Sequence, residues 1–388
     1  ATHTATIFFE KDANYSWSIA YTDKAGNENE GVKQADGTAA TFDDFTVDKT
    51  APTGTVTVNA NTWDKLLNIL TFGLYSNVKA DVKATADDAT SPYIIEYFET
   101  SNPIVLTAED LDKLDKKTFK PYANYSVEDN RQFVVYLKIT DYAGNYTYIN
   151  SDGYIVDKEK SSIALTPSAA NGFYDATANA GGQYGLYNKN SDVKVDVKVK
   201  DVEPYSGIKT VDYWIENNNV KTQEGNLFTF DIKNPAQKDL VNDWNGSITV
   251  DKALNNGCNI VVYVKTVDNA GNERIESVRL DIDVTAPVIS IKFDNNKDNN
   301  GNTYFDDQRT ATVTITERNH HFDAAAATKG ININAVDAKG NPVENAYTIS
   351  AWTTVDNGQS PDEATHTATI FFEKDANYSW SIAYTDKA

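Results

Sequence analysis

Oxygen-bearing side chains with metal-ligand spacing are the main candidates for chemistry in this sequence. The segment Asn296-Lys-Asp298-Asn-Asn300-Gly301, with Asp307 at the twelfth place, imitates a calcium-binding loop. It departs from that pattern at both ends, because Asn leads and the shorter Asp closes. Asn and Gly also build hairpin loops, and the flanking segments 288–293 and 310–315 would make a strand pair around this one. A plain hairpin loop is the favoured interpretation, and calcium binding by Asp298, Asn300 and Asp307 is the alternative.

A second group of acids lies at predicted turns and domain boundaries. The boundary acids are Asp48, Asp157 and Asp283, and the turn acids are Asp23, Asp141 and Asp268. Bound between domains, calcium would use such carboxylates, which are the ligands it prefers. Capping of the turns by Asp explains the second set without a metal. Both interpretations stay open, and calcium is the only cofactor that the sequence suggests.

Catalytic motifs are absent from the sequence. It contains no G-x-S-x-G, H-E-x-x-H or phosphate-binding glycine loop, and no Cys/His pairing. Its adjacent histidines, His320 and His321, would face opposite ways in a strand and could not share one metal. We therefore expect a protein that is not an enzyme.

The composition narrows the class of protein further. The chain has 388 residues and a formal net charge of −21, which disfavours nucleic acid and anionic membranes as partners. It has no Met, which suggests an interior fragment or a processed product, and its one cysteine, Cys258, allows no intrachain disulfide. No apolar run is long enough to span a bilayer, so we expect no membrane insertion by this fragment.

An exact internal repeat is the strongest signal in the chain. Residues 1–25 are identical to residues 364–388, which predicts a parent protein with a repeat period of 363 residues. Under this interpretation the chain begins and ends inside the same kind of domain.

A shorter motif, D-x-A-G-N, recurs within that period, and each complete copy follows a strand with one apolar face. The alternation Phe133, Val135, Leu137 before the second copy is typical. Asp can bond backbone amides and Gly accepts positive φ, so each motif predicts a hairpin turn between the last two strands of a sandwich. The turn residues are Asp23, Gly26, Asn27, Asp141, Gly144, Asn145, Asp268, Gly271 and Asn272.

Four domains follow from these turns and from the proline-containing segments after them. We predict the C-terminal strands of an immunoglobulin-like domain at 1–50, complete immunoglobulin-like domains at 51–158 and 159–285, and one lacking its last strand at 286–388. The strands of the first segment are expected at 6–10, 15–22 and 42–48. The fold class is all-β, with tandem immunoglobulin-like antiparallel sandwiches and short inserted helices.

Two inserted helices are predicted in the 51–158 domain. Trp63, Leu66, Leu67, Leu70 and Leu74 have the spacing of one stripe of an amphipathic helix. A second helix should run from residue 108 to about 117 with Thr107 as its cap. Aromatic anchors for a partner would be Trp63, Tyr213 and Trp214, with core packing as the simpler explanation of all three.

The D-x-A-G-N turn followed by V-D-x-T-A-P resembles the immunoglobulin-like repeats of bacterial adhesins and of large surface proteins from Gram-positive gut Firmicutes. The resemblance covers the whole chain, and Lys158-Glu-Lys160 departs from it where Thr-Ala-Pro would stand. It implies a secreted or cell-surface location. It also implies binding to a host extracellular protein, first of all immunoglobulin variable regions in the manner of a B-cell superantigen.

Two alternatives to host binding remain, a passive stalk or spacer and a glycan-binding repeat. The duplicated segments add one further expectation, head-to-tail self-association. Residues 26–48 of one chain would complete the 286–388 domain of another, because an unfinished sandwich leaves an open edge.

Overall fold

The computed structural model describes residues 2–168, 186–187, 193–231, 233, 239–294, 298–299, 304–318, 322–356 and 363–386. Antiparallel sheets dominate these ranges, so the chain is all-β, as predicted. It divides into two compact units. Unit 1 comprises Ala1–Glu159, Val202–Ser206 and Asn269–Asn272, and unit 2 comprises Lys160–Asp201, Gly207–Asp268 and Glu273–Ala388. Within the described ranges, no helix is long and apolar enough to cross a membrane.

The elements of unit 1 follow one another with short connections. They are β1 (Ala13–Tyr15), β2 (Phe45–Val47), β3 (Thr53–Val58), β4 (Asn61–Trp63), β5 (Leu74–Ser76), β6 (Ala80–Asp87), β7 (Tyr93–Thr100), α1 (Ala108–Asp112), β8 (Lys120–Pro121), β9 (Tyr125–Val127), β10 (Arg131–Asp141), β11 (Tyr146–Asn150) and β12 (Tyr154–Val156).

A β-sandwich is formed by β3 to β12. One sheet has the order β4-β3-β6-β9, and the other has the order β5-β12-β10-β7-β8 with β11 also paired to β10. Inward residues of both sheets share one core, in which Val56 and Val82 face Val135 and Ile139, all fully buried. The strand before the second D-x-A-G-N turn, β10, is central in its sheet, as predicted.

The sandwich is tight where the two sheets meet. A Cβ added at Gly54 on β3 would lie 2.4 Å from Cδ1 of Ile139 on β10 and 2.4 Å from the carbonyl oxygen of Thr85. Both distances are far below contact distance, so only glycine fits at this position of β3.

The amphipathic helix predicted around Trp63 does not form. Trp63 ends strand β4, Leu74 begins strand β5, and the residues between them run as an irregular segment. Its backbone is bonded to another part of the chain instead of to its own next turn. The amide of Leu67 donates to Asn150 Oδ1 (2.5 Å), and that of Thr71 donates to Asp152 Oδ1 (2.7 Å).

The apolar stripe is real but serves two surfaces. Trp63 and Leu74 pack on the sandwich core, whereas Leu66 and Leu70 cover Tyr136 on the outer face of the second sheet. An extended segment can supply both faces, because successive side chains point in opposite directions.

The second predicted helix does form. Helix α1 begins after Thr107, whose hydroxyl accepts from the Asp110 amide, while the Asp110 carboxylate accepts from the Thr107 amide (2.9 Å). This capping box supplies two of the donors that a helix N-terminus leaves unpaired. The helix ends at Asp112, earlier than predicted, and places Leu111 in the outer cluster with Tyr136.

Residues 2–50 contain less strand than predicted. Residues 6–10 and most of 15–22 are not in a sheet; only β1 and β2 pair, in the register Ala13↔Val47 and Tyr15↔Phe45. Ile7 and Ile19 are more than half exposed. A strand requires a partner that continues the sheet, and among the described residues of unit 1 none covers this segment.

Unit 2 holds the remaining elements. They are β13 (Ser162–Ser168), β14 (Leu186–Tyr187), β15 (Lys194–Lys200), β16 (Ile208–Asn217), β17 (Val220–Thr229), β18 (Asp243–Thr249), β19 (Gly257–Asp268), β20 (Glu273–Ile282), β21 (Val288–Phe293), β22 (Asp298–Asn299), β23 (Tyr304–Phe305), β24 (Arg309–Arg318), α2 (Ala324–Lys329), β25 (Ile331–Val336), β26 (Tyr347–Ile349), β27 (Thr353–Asp356), β28 (Glu363–Phe372) and β29 (Asn377–Ile382).

Two sandwiches lie within unit 2. In the first, sheet β13-β15-β18 packs on sheet β14-β20-β19-β16-β17, and β19, the strand before the third D-x-A-G-N turn, is again central. In the second, sheet β21-β24-β28-β26, with β27 also paired to β28, packs on the two-stranded sheet β25-β29.

The predicted calcium loop lies between β21 and β24, which pair as expected for a hairpin. Asn300 lies outside the described residues. The backbone of Asp298 pairs with Phe305 in the small β22–β23 hairpin. Asp307 is exposed, and its carboxylate accepts from the Gln308 amide at 2.7 Å. These contacts are those of a hairpin loop, and calcium binding there stays a prediction.

Candidate functional site

The three D-x-A-G-N turns share one geometry. Gly26, Gly144 and Gly271 have φ of 88°, 97° and 96°, a region in which glycine carries no penalty. In the first turn, Asp23 Oδ1 accepts from the amides of Ala25 (2.8 Å) and Asn27 (2.9 Å). Hydrogen bonds from the side chain and backbone of Asn27 hold the pKa of Asp23 below its ordinary value.

The asparagine that closes the turn also reaches the preceding domain boundary. Asn145 Nδ2 donates to the carbonyl oxygen of Asp48 (3.2 Å) and to Oδ2 of Asp141 (2.8 Å). In the same way, Asn272 Nδ2 donates to the carbonyl oxygen of Asp157 (2.9 Å), again within unit 1. The motif therefore positions a side-chain amide that holds the chain where one sandwich leads into the next.

The connection from β2 to β3 is short and is fixed by several further bonds. Asp48 Oδ1 accepts from the amide of Thr50 (3.2 Å), and Asp48 Oδ2 accepts from the Ser91 hydroxyl. Thr147 Oγ1 donates to the carbonyl oxygen of Pro52 (2.6 Å). Residues 48–52 are thus attached to two loops of the following sandwich, which we call the braced junction.

Three carboxylates come together at the braced junction. Ligand oxygens of Asp48, Asp88 and Asp141 lie within 4.8 Å of one another. Asp141 is only 4% exposed and Asp88 is half-buried, so water screens their mutual repulsion poorly. A cation between them would remove that repulsion, and an all-oxygen ligand set suits calcium. Of the predicted junctional acids, the structure brings together Asp48 and Asp141.

Asp88 was missed from the sequence, although a signal for it exists. It follows the inward-facing Ala84 and Ala86 of β6 by the same two-residue step. The comparable strands end in the same way, with Asp201 after Val199 and Glu317 after Ile315, and both acids are buried. Alignment of the three strands would have identified an acid at one shared position.

The third predicted boundary, at Asp283, is organised differently. The Asp283 carboxylate accepts from the amide of Thr285 (3.0 Å), and Asn256 takes the part of the turn asparagine. Asn256 Oδ1 accepts from the amide of Val284 (3.2 Å), and its Nδ2 donates to Thr285 Oγ1 (2.7 Å). A side-chain amide again fixes the chain that leaves a sandwich.

The three aromatic residues predicted as partner anchors have different surroundings. Trp63 packs on the core of the first sandwich, and Tyr213 packs on the core of the second. Trp214 lies on the other face of its sheet, stacked on Tyr263 with ring centroids 4.8 Å apart. Its indole nitrogen donates to Glu216 Oε1 (3.1 Å), and the ring is half-buried. A role of any of them in binding stays a prediction.

Comparison with known proteins gives structural likenesses only. No family model matches the chain, and no curated protein matches it. It is similar to a tetra-tandem repeat in the extending region of a large adhesion protein, with 15% identity and a TM-score of 0.32 over 95% of this chain and 80% of that chain.

A second similar structure was described as giving insight into host cell surface retention of a 1.5-MDa bacterial ice-binding adhesin. The identity is 13% and the TM-score is 0.25, over 79% of this chain and 89% of that chain. With both TM-scores below 0.5, neither likeness decides what this chain does.

Proposed function

We propose that this chain is an extension repeat of a bacterial cell-surface adhesin, a stalk that holds a distal part of the protein away from the cell. The observation that carries the proposal is the braced junction. Five residues, 48–52, connect β2 to β3, and bonds from Asn145, Ser91 and Thr147 hold them to the following sandwich.

A stalk must resist bending, and linkers resist bending when they are short and ordered. A free polar linker behaves as a random coil, and its ends sample many separations. Here the backbone at Asp48 and at Asp157 is bonded by a turn asparagine whose own conformation is set by a glycine at positive φ. The repeat of 363 residues would multiply such junctions along a longer protein.

Calcium at the braced junction belongs to the same proposal. A divalent cation bound by Asp48, Asp88 and Asp141 would join residue 48 on one side of the junction to two loops on the other. Because an ion that binds only the folded arrangement stabilises it, the junction would stiffen further when calcium is present.

Binding of a host protein is the second candidate. The feature that favours it is the Trp214–Tyr263 pair, an aromatic surface on the face of the sheet opposite the core. Aromatic residues of this kind anchor protein interfaces and also stack on sugars. Immunoglobulin variable regions are the first host ligand to test, and glycans are the alternative.

A replacement experiment separates the two candidates. The parent protein would be displayed on cells with this repeat exchanged for unrelated tandem sandwiches of the same length. A stalk predicts that adhesion by the distal part survives the exchange, whereas loss of adhesion with normal surface display would contradict the proposal. In parallel, the immobilised chain would be incubated with serum and mucus. Retention of immunoglobulin that W214A abolishes would establish the second candidate instead.

A further inference from the structure

The duplicated sequence exists in two different environments within the chain. Residues 364–386 lie in the last sandwich of unit 2, where β28 buries Ile370 completely and Phe372 nearly so. The identical residues near the start are largely uncovered; Ile7, the counterpart of Ile370, is 59% exposed. One sequence therefore has a sheet behind it in one place and lacks that sheet in the other.

Both copies nevertheless build the same aromatic cluster. Phe9 lies 5.0 Å from Tyr15 and 6.2 Å from Trp17, measured between ring centroids. The counterparts in unit 2 are Phe372, Tyr378 and Trp380, and their separations are 4.9 and 6.1 Å. The conformation of this cluster is thus a property of the duplicated segment itself.

Near the start of the chain, this cluster is covered by the segment 42–48, which we call the closing segment. Phe45 lies 4.8 Å from Phe9 and is stacked on Tyr15 at 5.6 Å, and Phe42 lies 4.6 Å from Trp17. The backbone of the closing segment pairs with β1 in the register given above. The structure thus shows how the closing segment recognises the duplicated sequence.

The copy in unit 2 presents the same surface without that cover. β29 pairs with β25 along one edge, and on its other edge no described strand of unit 2 is paired with it. An open groove of about 500 Å³ lies beside it, lined by Ile333, Tyr347 and Trp380 among others. By contrast, β10 in the first sandwich carries strands on both edges.

The last turn of β29 shows the consequence for burial. Tyr378 and Trp380 stay half-buried, although Trp380 also contacts Phe293 at 6.2 Å, whereas Phe133 and Val135 at the corresponding places of β10 are fully buried. An uncovered edge with an apolar face is a template for another strand.

We propose that this edge of β29 binds the closing segment of a second copy of the chain. The register follows from the one already present at β1, so Val47 pairs with Ala376, Thr46 with Asn377 and Phe45 with Tyr378. Phe42 and Phe45 then cover Phe372, Tyr378 and Trp380 as they cover the counterparts near the start.

The exchange is favourable because the two slots are not equally supported. At β1 the closing segment rests on a two-stranded ribbon, and Phe45 remains 36% exposed. A two-stranded ribbon alone is marginally stable in water. At β29 the same cluster is backed by the core of β24, β28 and β25. Each chain offers one closing segment and two slots, and the contact is heterologous, so it can extend into chains or close into rings.

The first test measures mass against concentration by light scattering on the whole chain. The mass should rise above that of the 42.8 kDa monomer as the concentration rises. F42A/F45A should shift the curve to at least about tenfold higher concentration, since each aromatic contact contributes on the order of a kcal/mol. F8A, at a 75% exposed phenylalanine outside the cluster, is the matched control and should leave the curve unchanged. A constant monomer mass, or equal effects of F42A/F45A and F8A, would overturn the proposal.

The second test examines the register and whether two molecules take part. In a C258S background, chains carrying T46C are mixed with chains carrying N377C and oxidised. Facing residues of paired strands lie within disulfide range, so a crosslinked dimer is expected. V47C mixed with N377C is the control, because adjacent residues face opposite sides of a strand. Absence of dimer in the first mixture, or equal dimer in both, overturns the proposal. A monomeric stalk repeat would remain a stalk, so the two proposals fail separately.

Discussion

Removal of the turn asparagine at the braced junction should loosen that junction and leave the others intact. Asn145 donates to the Asp48 carbonyl at 3.2 Å and to the Asp141 carboxylate at 2.8 Å, and N145A deletes both bonds. A neutral hydrogen bond contributes about 1 kcal/mol and a charge-assisted one more. Because the Asn145 amide still donates to Asp141 Oδ1 (2.8 Å), we expect a loss of about 2 kcal/mol in the free energy of local opening.

Trypsin supplies an assay specific to each junction. Lys49 follows Asp48 and Lys158 follows Asp157, and both lysines are exposed. Cleavage requires local unfolding, and under gentle conditions its rate follows the population of the open form. A loss of about 2 kcal/mol should therefore speed cleavage at Lys49 about thirtyfold. Fragments identified by mass spectrometry would give the rate at each site.

The reciprocal variant is the control. N272A removes the bond to the Asp157 carbonyl (2.9 Å) and should speed cleavage at Lys158 while leaving Lys49 unaffected. The reasoning is refuted if N145A speeds both cleavages equally, because that would mean global unfolding. It is also refuted if folded N145A is cut at Lys49 no faster than the unaltered chain.

Three further predictions concern the metal, the core and the alkaline limit. Chelator should lower the melting temperature by several degrees, and D88N should make that temperature insensitive to calcium; an unchanged melt contradicts the calcium hypothesis. I139A should cost about 2–5 kcal/mol of unfolding free energy in urea titration, whereas I94A, at a 48% exposed site, should cost almost nothing. Burial raises the pKa of Tyr122 to about 12, so its contribution to stability is present below pH 10 and is lost as pH rises through 12. Y122F should therefore lose less melting temperature over that interval, and an equal loss would refute the assignment.

The turns and central strands were predictable because their determinants are local. A D-x-A-G-N turn needs a short carboxylate and a glycine at positive φ, and both are visible in five residues. The alternation around Val135 identifies a half-buried strand by its period alone. The same local logic found helix α1, since its capping box lies within Thr107–Asp110.

The failed helix shows where local reasoning ends. The spacing from Trp63 to Leu74 fits a helical stripe, yet Asn150 and Asp152, some eighty residues away, bond the backbone of this segment in an extended path. Tertiary partners outweigh a propensity worth tenths of a kcal/mol per residue. The acidic cluster was half-found for a related reason. Asp48 and Asp141 belong to motifs, whereas Asp88 becomes their neighbour only once β6 is placed beside them.

The duplicated segment separates the contributions of sequence and context. Residues identical in type form the ten-residue strand β28 in one place and no strand at 2–10 in the other. His366 is buried and stacked on Phe322 at 3.9 Å, while its counterpart His3 is exposed. The aromatic cluster survives in both, since its rings lie close along the chain. Local sequence thus fixes which face is sticky, and the partner sheet decides whether a strand forms. A surface that exists before its partner arrives is what a repeating protein needs to join one unit to the next, and it is also what makes exchange between copies available to this chain.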